Sequence, residues 1–385
     1  MSSLKKKIIS LIFTLLFAFS FDIFSFAQNL GVSAQSAVLM CANNGKVLYS
    51  KNENKQLSMA STTKIMTSLL AIESAEPNRE ITVTKEIVSG EGTSMGLAAG
   101  DSVSMRELVY GMLLQSGNDA ANTVAYVLGG SPEGFAEMMN SRAAEIGMKN
   151  TNFVTASGLD DKEHYSTAYD MALLAAESIS NPEFAAICSK KSARLTYGNP
   201  PYSRTLTNHN RLLWSYDDAI GIKTGFTKKS GRCLVSAAER NGITLVAVTL
   251  NAPDDWNDHI AMYEYGFTVC ESVGLTCDLP KIKVSGGESS SVSLQLSSVP
   301  VWVKNEKCTV RVYVRPFLYA PVSEGEIAGR AVFSSGDRII AEVPLLTDSS
   351  VEFKKAPIKA AEEEKGLFSD LIQRFLDLFN NPVVK

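Results

Sequence analysis

The chain has 385 residues, 45% of them hydrophobic and 20% charged, with a formal net charge of -4 at pH 7. That length suits two domains, and that composition buries a large core and excludes wholesale disorder. Mild acidity, with no basic block beyond the first few positions, gives no electrostatic basis for binding nucleic acid.

Residues 1–27 read as an export signal. Lys5, Lys6 and Lys7 precede an apolar run over 8–21, and small residues follow at Ser25 and Ala27, then at Ser33 and Ala34. Cleavage is expected after Ala27, with Ala34 as the alternative. Asp22 interrupts the apolar run and leaves it short for a membrane span, which disfavours an uncleaved anchor.

Residues 36–50 read as a hairpin, two apolar runs joined by the turn signal Asn43-Asn44-Gly45. Residues 61–75 read as a helix with Ile65, Met66, Leu69, Leu70 and Ile72 on its apolar face and Pro77 closing it. Helical patterns dominate 105–179, with breaks at Gly117, Gly129-Gly130 and Gly158. Strands return over 219–223, 233–237 and 244–250. Near residue 276 the pattern changes to short alternating segments punctuated by Gly, Ser and Pro, which predict an all-β domain, a sandwich or barrel, running to about 353. The acidic Glu362-Glu363-Glu364 then leads into a predicted helix with Leu367, Phe368, Leu371, Ile372, Phe375, Leu376 and Phe379 on one face. It is too short and too charged to span a bilayer but suits a membrane interface. The expected parts are a signal at 1–27, a catalytic domain at 28–276, an all-β domain at 277–358, and a linker with anchor helix at 359–385.

Six cysteines are scattered without a Cys-x-x-Cys, and His164, His209 and His259 stand apart. No metal or cofactor site is predicted, and the sequence leaves the cysteine pairing open.

Three short motifs carry chemistry. Ser61-Thr62-Thr63-Lys64 opens a helix, Ser116-Gly117-Asn118 ends a helical pattern, and Lys223-Thr224-Gly225 follows the apolar Ala219-Ile220-Gly221-Ile222. Singly each is weak, and the leader holds its own Ser3-Leu4-Lys5-Lys6. Alone, Ser61 reads as a helix cap, Lys64 as a solvated charge, Ser116-Gly117-Asn118 as a helix stop and Lys223-Thr224-Gly225 as a strand end. Together, in order, they describe a serine made nucleophilic by a lysine. Residues three apart on a helix share a face, so Lys64 reaches the Ser61 hydroxyl. A lysine acts as base only when neutral, and burial plus a second cation such as Lys223 favours that form. Ser116 would relay a proton to the leaving amine, and Asn118 would fix Lys64 and a substrate amide. An edge strand at Lys223 and Thr224 would take an extended peptide and its carboxylate.

With these motifs the sequence resembles the low-molecular-weight penicillin-binding proteins, the D-alanyl-D-alanine carboxypeptidases of peptidase family S11. The resemblance extends to Gly92-Thr93-Ser94-Met95-Gly96-Leu97, Leu114-Gln115-Ser116-Gly117-Asn118-Asp119, His164-Tyr165-Ser166-Thr167, Asn208-His209-Asn210-Arg211 and Gly221-Ile222-Lys223-Thr224-Gly225-Phe226-Thr227. It implies an α/β fold, an antiparallel sheet flanked by helices with a helical lobe (β-lactamase/transpeptidase-like), followed by a small all-β domain and a membrane-anchor helix. It implies Ser61 as the acylated nucleophile, Lys64 as its base, Ser116 and Asn118 in the proton network, and Lys223, Thr224, Gly225 and Phe226 binding substrate. The amides of Ser61 and Phe226 would form the oxyanion hole. The implied partners are peptidoglycan stem peptides, β-lactams and the outer face of the cell membrane. Two departures stand out: Phe226 occupies a position where some relatives have histidine, and residues 251–256 lack an arginine that some relatives use.

Three rival readings differ in their marks. A serine β-lactamase needs a glutamate that activates water, and no Glu-x-x-x-Asn arrangement between Asn118 and Lys223 supplies one. A D,D-transpeptidase or endopeptidase differs only in acceptor or scissile bond. A catalytically dead wall-binding protein would leave Ser61 unlabelled by penicillin.

Overall fold

A computed structural model describes residues 30–355, with breaks at 75, 77, 89–90, 273–278, 299 and 305–307, together with residues 367–380. The predicted leader and Cys277 therefore lie outside the described residues. The chain divides into two compact units, one of residues 1–274 and 299–307, the other of residues 275–298 and 308–385.

The first unit is built on an antiparallel five-stranded sheet. Its strands are β1 (Ser36–Cys41), β2 (Lys46–Lys51), β3 (Ala219–Thr227), β4 (Gly231–Arg240) and β5 (Ile243–Leu250), in spatial order β2-β1-β5-β4-β3. Side chains of a strand alternate between faces, and here both faces are apolar. Val38, Met40, Val235, Val246 and Val248 enter one core, while Ala37, Leu39, Leu234, Leu245 and Ala247 enter the other. Helices therefore cover both sides.

The larger core is filled by α1 (Lys64–Glu73), α2 (Met105–Gln115), α3 (Asn118–Gly129), α4 (Pro132–Ile146) and α5 (Ala168–Ser180). Their ends follow local chemistry. Ser104 and Glu107 form a reciprocal capping box on α2, Ser131 caps α4 with Pro132 in its first turn, and Gly147 ends α4 in the left-handed region. The second core is covered by α6 (Asp255–Val269), whose Met262 and Tyr263 are fully buried. On the same side, buried His259 bonds Ser236 at 2.6 Å through Nδ1 and Thr249 at 2.9 Å through Nε2. These bonds tie α6 to β4 and β5, and burial lowers the His259 pKa to about 3.

Three local features depart from expectation. The predicted helical stretch 105–179 is interrupted after α4. Residues 148–167 run as a loop with isolated bridges Leu57↔Ser166 and Asn152↔Tyr165. A hairpin absent from the sequence reading pairs Ser192–Gly198 with Pro201–Thr207. The Lys223 strand continues to Thr227, so Lys223-Thr224-Gly225 lies within β3 rather than at its end.

Among its described residues the second unit carries two sheets. Ile282–Ser285 lies between Ser291–Val292 and Phe317–Tyr319, and Arg338–Thr347 lies between Leu294–Leu296 and Ile327–Ser335, the last also pairing with Thr309–Val314. Ala331, Phe333, Val343 and Leu345 are buried there. The segments of this unit between Ile282 and Thr347 are β-rich, as expected. Leu367–Asn380 is helical, with Leu371, Ile372, Phe375 and Leu376 each at least half exposed. Among the described residues no helix is long and apolar enough to cross a membrane.

Candidate active site

Ser61 lies in a 3-10 turn, Ala60–Thr63, that runs directly into α1. The turn is stitched from below. Thr62 Oγ1 donates to the Met59 carbonyl at 2.7 Å and Thr63 Oγ1 to the Ala60 carbonyl at 2.8 Å. Nδ1 of His164 accepts from the Val154 amide at 2.9 Å, so the ring proton resides on Nε2 and is donated to Thr63 Oγ1 at 2.8 Å. Burial lowers the His164 pKa to about 4 and keeps that tautomer neutral. This histidine supports the Ser61 turn.

Lys64, one turn along, is fully buried. Its Nζ contacts Ser61 Oγ at 2.9 Å, Asn118 Oδ1 at 2.7 Å and the Ser157 carbonyl at 2.6 Å. Burial holds its pKa well below the usual lysine value, and the nearby Lys223 charge lowers it further against the opposing pull of Asp119. A neutral amine has two N–H bonds and one lone pair. The two carbonyl-type oxygens take the two protons, and the lone pair is left facing the Ser61 hydroxyl. That geometry lets Lys64 accept the serine proton.

Ser116 and Asn118 stand at the joint between α2 and α3. Ser116 caps α2 in the left-handed region at φ 60°, and Asn118 opens α3. The Asn118 amide is oriented on both sides, since its Nδ2 donates to the Glu91 carbonyl at 2.6 Å and its Oδ1 faces Lys64.

β3 completes the cleft. Gly225 passes so close to the Ser61 turn that a Cβ there would stand 3.0 Å from the Ser61 nitrogen and 3.0 Å from the Met59 carbonyl oxygen. Only glycine admits that approach without displacing the turn. Lys223 is 1% exposed, donates from Nζ to the Thr224 carbonyl at 2.8 Å, and has its pKa lowered by burial to about 7.

The cleft has a volume of about 560 Å³ and is lined by Ser61, Ser116, Asn118, Thr224, Gly225 and Phe226 among others. Lys64 and Lys223 lie behind this wall. The structure thus brings all eight expected site residues to one place, six on the surface of the cleft and two beneath it.

Other contributors were missed by sequence reasoning. The Ser157 and Glu91 carbonyls are backbone groups with no residue-type signal. Arg232 and Trp256 line the cleft. Arg232 Nε bonds the Asp255 carboxylate at 3.0 Å, and its guanidinium lies over Trp256, 5.5 Å from the ring centre. Arg232 pairs with Phe226 across β3 and β4. Extending both predicted strands by a few residues would have found it. Residues 251–256 hold no arginine, and the arginine in the cleft lining comes from β4. Among the described residues no cluster of His, Cys, Asp or Glu could hold a metal.

Comparison with known proteins identifies the family and the fold. Residues 24–254 match the family described as D-alanyl-D-alanine carboxypeptidase, peptidase S11, and residues 276–353 match the C-terminal domain of penicillin-binding protein 5. The chain is 31% identical over 346 residues to the D-alanyl-D-alanine carboxypeptidase DacF of Bacillus subtilis, covering 86% of this chain and 88% of that protein. The D-alanyl-D-alanine carboxypeptidase DacD from Francisella tularensis superposes with a TM-score of 0.61 at 27% identity, covering 86% of this chain and 97% of the other. The DD-transpeptidase of Streptomyces K15 gives 0.59 at 30% identity, over 62% of this chain and 98% of the other. With the fold, the Ser–Lys pair and these matches in agreement, the chain belongs to the D-alanyl-D-alanine carboxypeptidase family of serine peptidases.

Proposed function

We propose that the protein is exported, held at the outer face of the cell membrane, and removes the terminal D-alanine from peptidoglycan stem pentapeptides through a Ser61 acyl-enzyme. The observation that carries the reading is the Lys64 nitrogen, 2.9 Å from Ser61 Oγ with both N–H positions engaged elsewhere.

Ser61 Oγ attacks the carbonyl of the penultimate D-alanine and its proton passes to Lys64 Nζ. The oxyanion forms beside the amides of Ser61 and Phe226, which the close approach of Gly225 favours. Collapse breaks the peptide bond. The leaving nitrogen takes a proton relayed by Ser116 and departs as D-alanine. Water, deprotonated by the same lysine, then attacks the ester and frees Ser61. The substrate carboxylate meets Thr224 and Arg232, with the Lys223 charge behind them. A β-lactam presents a carboxylate and an acyl group in the same relation, so it acylates Ser61.

The exposed apolar face of Leu367–Asn380 suits an interfacial anchor. Deleting residues 366–385 should move the mature chain from the membrane to the soluble fraction, and retention on the membrane would remove the anchor from the proposal.

The deciding experiment incubates the mature protein with a stem pentapeptide ending in D-Ala-D-Ala, beside Ser61→Ala, and follows products and intact mass. One D-alanine released by the unmodified chain alone supports the reading. A stable penicillin adduct without release redirects it to another acceptor, as in a transpeptidase. Neither product nor adduct overturns the enzymatic reading.

A further inference from the structure

The segment 91–97 forms one wall of the cleft through Gly92 and Thr93, yet it has no helix or strand of its own. Its backbone is nevertheless bonded on both sides. The buried Asp119 carboxylate accepts five donors. Oδ1 takes the amides of Met95 and Ala120, both at 3.0 Å. Oδ2 takes Ser94 Oγ at 2.6 Å and the amides of Gly96 at 3.1 Å and Leu97 at 3.0 Å.

The carbonyls of the same residues point the other way, to the hairpin of Ser192–Gly198 and Pro201–Thr207. Tyr197 Oη donates to the Met95 carbonyl at 2.8 Å, and Arg204 Nη1 donates to the Gly96 carbonyl. The Arg204 guanidinium itself lies over two rings, 4.3 Å from the centre of Tyr197 and 4.1 Å from that of Tyr202, with Asp101 at 3.5 Å. Contact with two rings restricts the orientation of its fork.

The start of the segment meets Asn118. The Asn118 backbone N–H donates to the Thr93 carbonyl at 2.7 Å, Thr93 Oγ1 donates to the Ser116 carbonyl at 2.6 Å, and the Glu91 carbonyl accepts from Asn118 Nδ2. Only the NH2 end of an asparagine side chain satisfies a carbonyl, so the position of Glu91 decides that Oδ1 faces Lys64.

We infer that Asp119 and Arg204 are positioning residues for acylation: they clamp segment 91–97 from its amide side and its carbonyl side and so hold the Glu91 carbonyl that orients Asn118 toward Lys64. The inference rests on the proposed role of Lys64 as base. It assigns the hairpin at 192–207 a part in catalysis although it contributes no residue that lines the cleft. Small displacements of supporting groups are enough to slow a positioned reaction by about 100-fold.

The test uses Arg204→Ala, Arg204→Lys and Asp119→Asn in the mature chain, each alone and combined with Asn118→Ala. The rate of Ser61 acylation by a fluorescent penicillin is measured, together with hydrogen exchange of the 91–97 amides. Arg204→Ala is expected to slow acylation about tenfold or more and to speed exchange in 91–97, and Arg204→Lys should restore little of either, because one ammonium does not reproduce the stacked fork. Since the clamp works through Asn118, neither Arg204→Ala nor Asp119→Asn should slow acylation further in the Asn118→Ala background. Full additivity in that cycle would overturn the inference, and so would unchanged exchange in 91–97. If Asp119→Asn does not fold, the Arg204 variants decide alone. If the unmodified chain is not acylated, the functional reading has failed, and the exchange measurement still judges the clamp.

Discussion

Lys64 Nζ and Asn118 Oδ1 stand 2.7 Å apart although 54 positions separate them in the chain. This contact, with the Ser157 carbonyl, fixes which way the amine presents its lone pair. It makes several properties of the site measurable.

Lys64→Arg preserves the charge but gives a side chain that stays protonated. Acylation of Ser61 by penicillin is expected to fall about 10³-fold, in the range of a lost general base. A rate within tenfold of the unmodified chain would place the base elsewhere.

The pH dependence should expose the second lysine. Burial sets Lys223 at about 7 in the free protein, so its ammonium is present below that pH and is lost above it. For a substrate with a free C-terminal carboxylate, kcat/KM should decline above about pH 7. The corresponding limb of kcat should lie higher, because a bound carboxylate holds the proton on. A substrate with an amidated C-terminus should lack the decline. The same limb with both substrates would show that Lys223 does not act through the carboxylate.

Arg232→Lys keeps a cation on β4 but removes the fork that joins Asp255 and covers Trp256. KM for the pentapeptide should rise about tenfold or more, as for loss of a charge-assisted hydrogen bond, with a smaller change in kcat. An unchanged KM would remove Arg232 from carboxylate recognition.

Stability should fall as the pH drops below about 6.5. His164 and His259 are neutral in the fold, with pKa values lowered by burial to about 4 and about 3. In the unfolded chain they take up protons below about pH 6.5. Their stabilising contribution is complete above that pH and is progressively lost as the pH falls toward 4 and 3. Melting temperature measured from pH 7 to 4 should drop, and His259→Gln should flatten part of that slope while lowering stability at pH 7. A melting temperature flat over this range would contradict the neutral assignment.

Gly92 has φ +98°, and a Cβ there would lie 2.4 Å from Asn118 Nδ2. Gly92→Ala is expected to slow acylation at least tenfold while the chain remains folded, read by penicillin labelling beside thermal melting.

Much of this was legible in the sequence because the signals are local. The hairpin of β1 and β2 announces itself through Asn43-Asn44-Gly45, and the Ser61–Lys64 pair needs only helical spacing. Order and spacing of the three motifs were enough to single out seven of the eight site residues, and the family resemblance added Phe226. What stayed hidden depends on partners distant in sequence. The 192–207 hairpin has an exposed outer face and alternates weakly, with its strongest packing at Tyr197 and Leu206. The loop at 148–167 reads as helix because it follows helices, yet Gly147 ends α4 and the His164 and Asn140 side chains satisfy its backbone. Backbone acceptors such as Ser157 carry no signature in any side chain.

The buried Asp258 carboxylate takes the Ser33 amide at 2.8 Å, Ser33 Oγ at 2.7 Å and the Ala34 amide at 3.2 Å, and Ala34 is fully buried. Removal of a leader ending at position 34 would discard these donors to Asp258. Trimming after Ala27 leaves them attached. If the expected export signal is processed, the choice between its two candidate sites is in this way coupled to the integrity of the folded product, and a boundary set too far downstream would weaken the protein from its first residue.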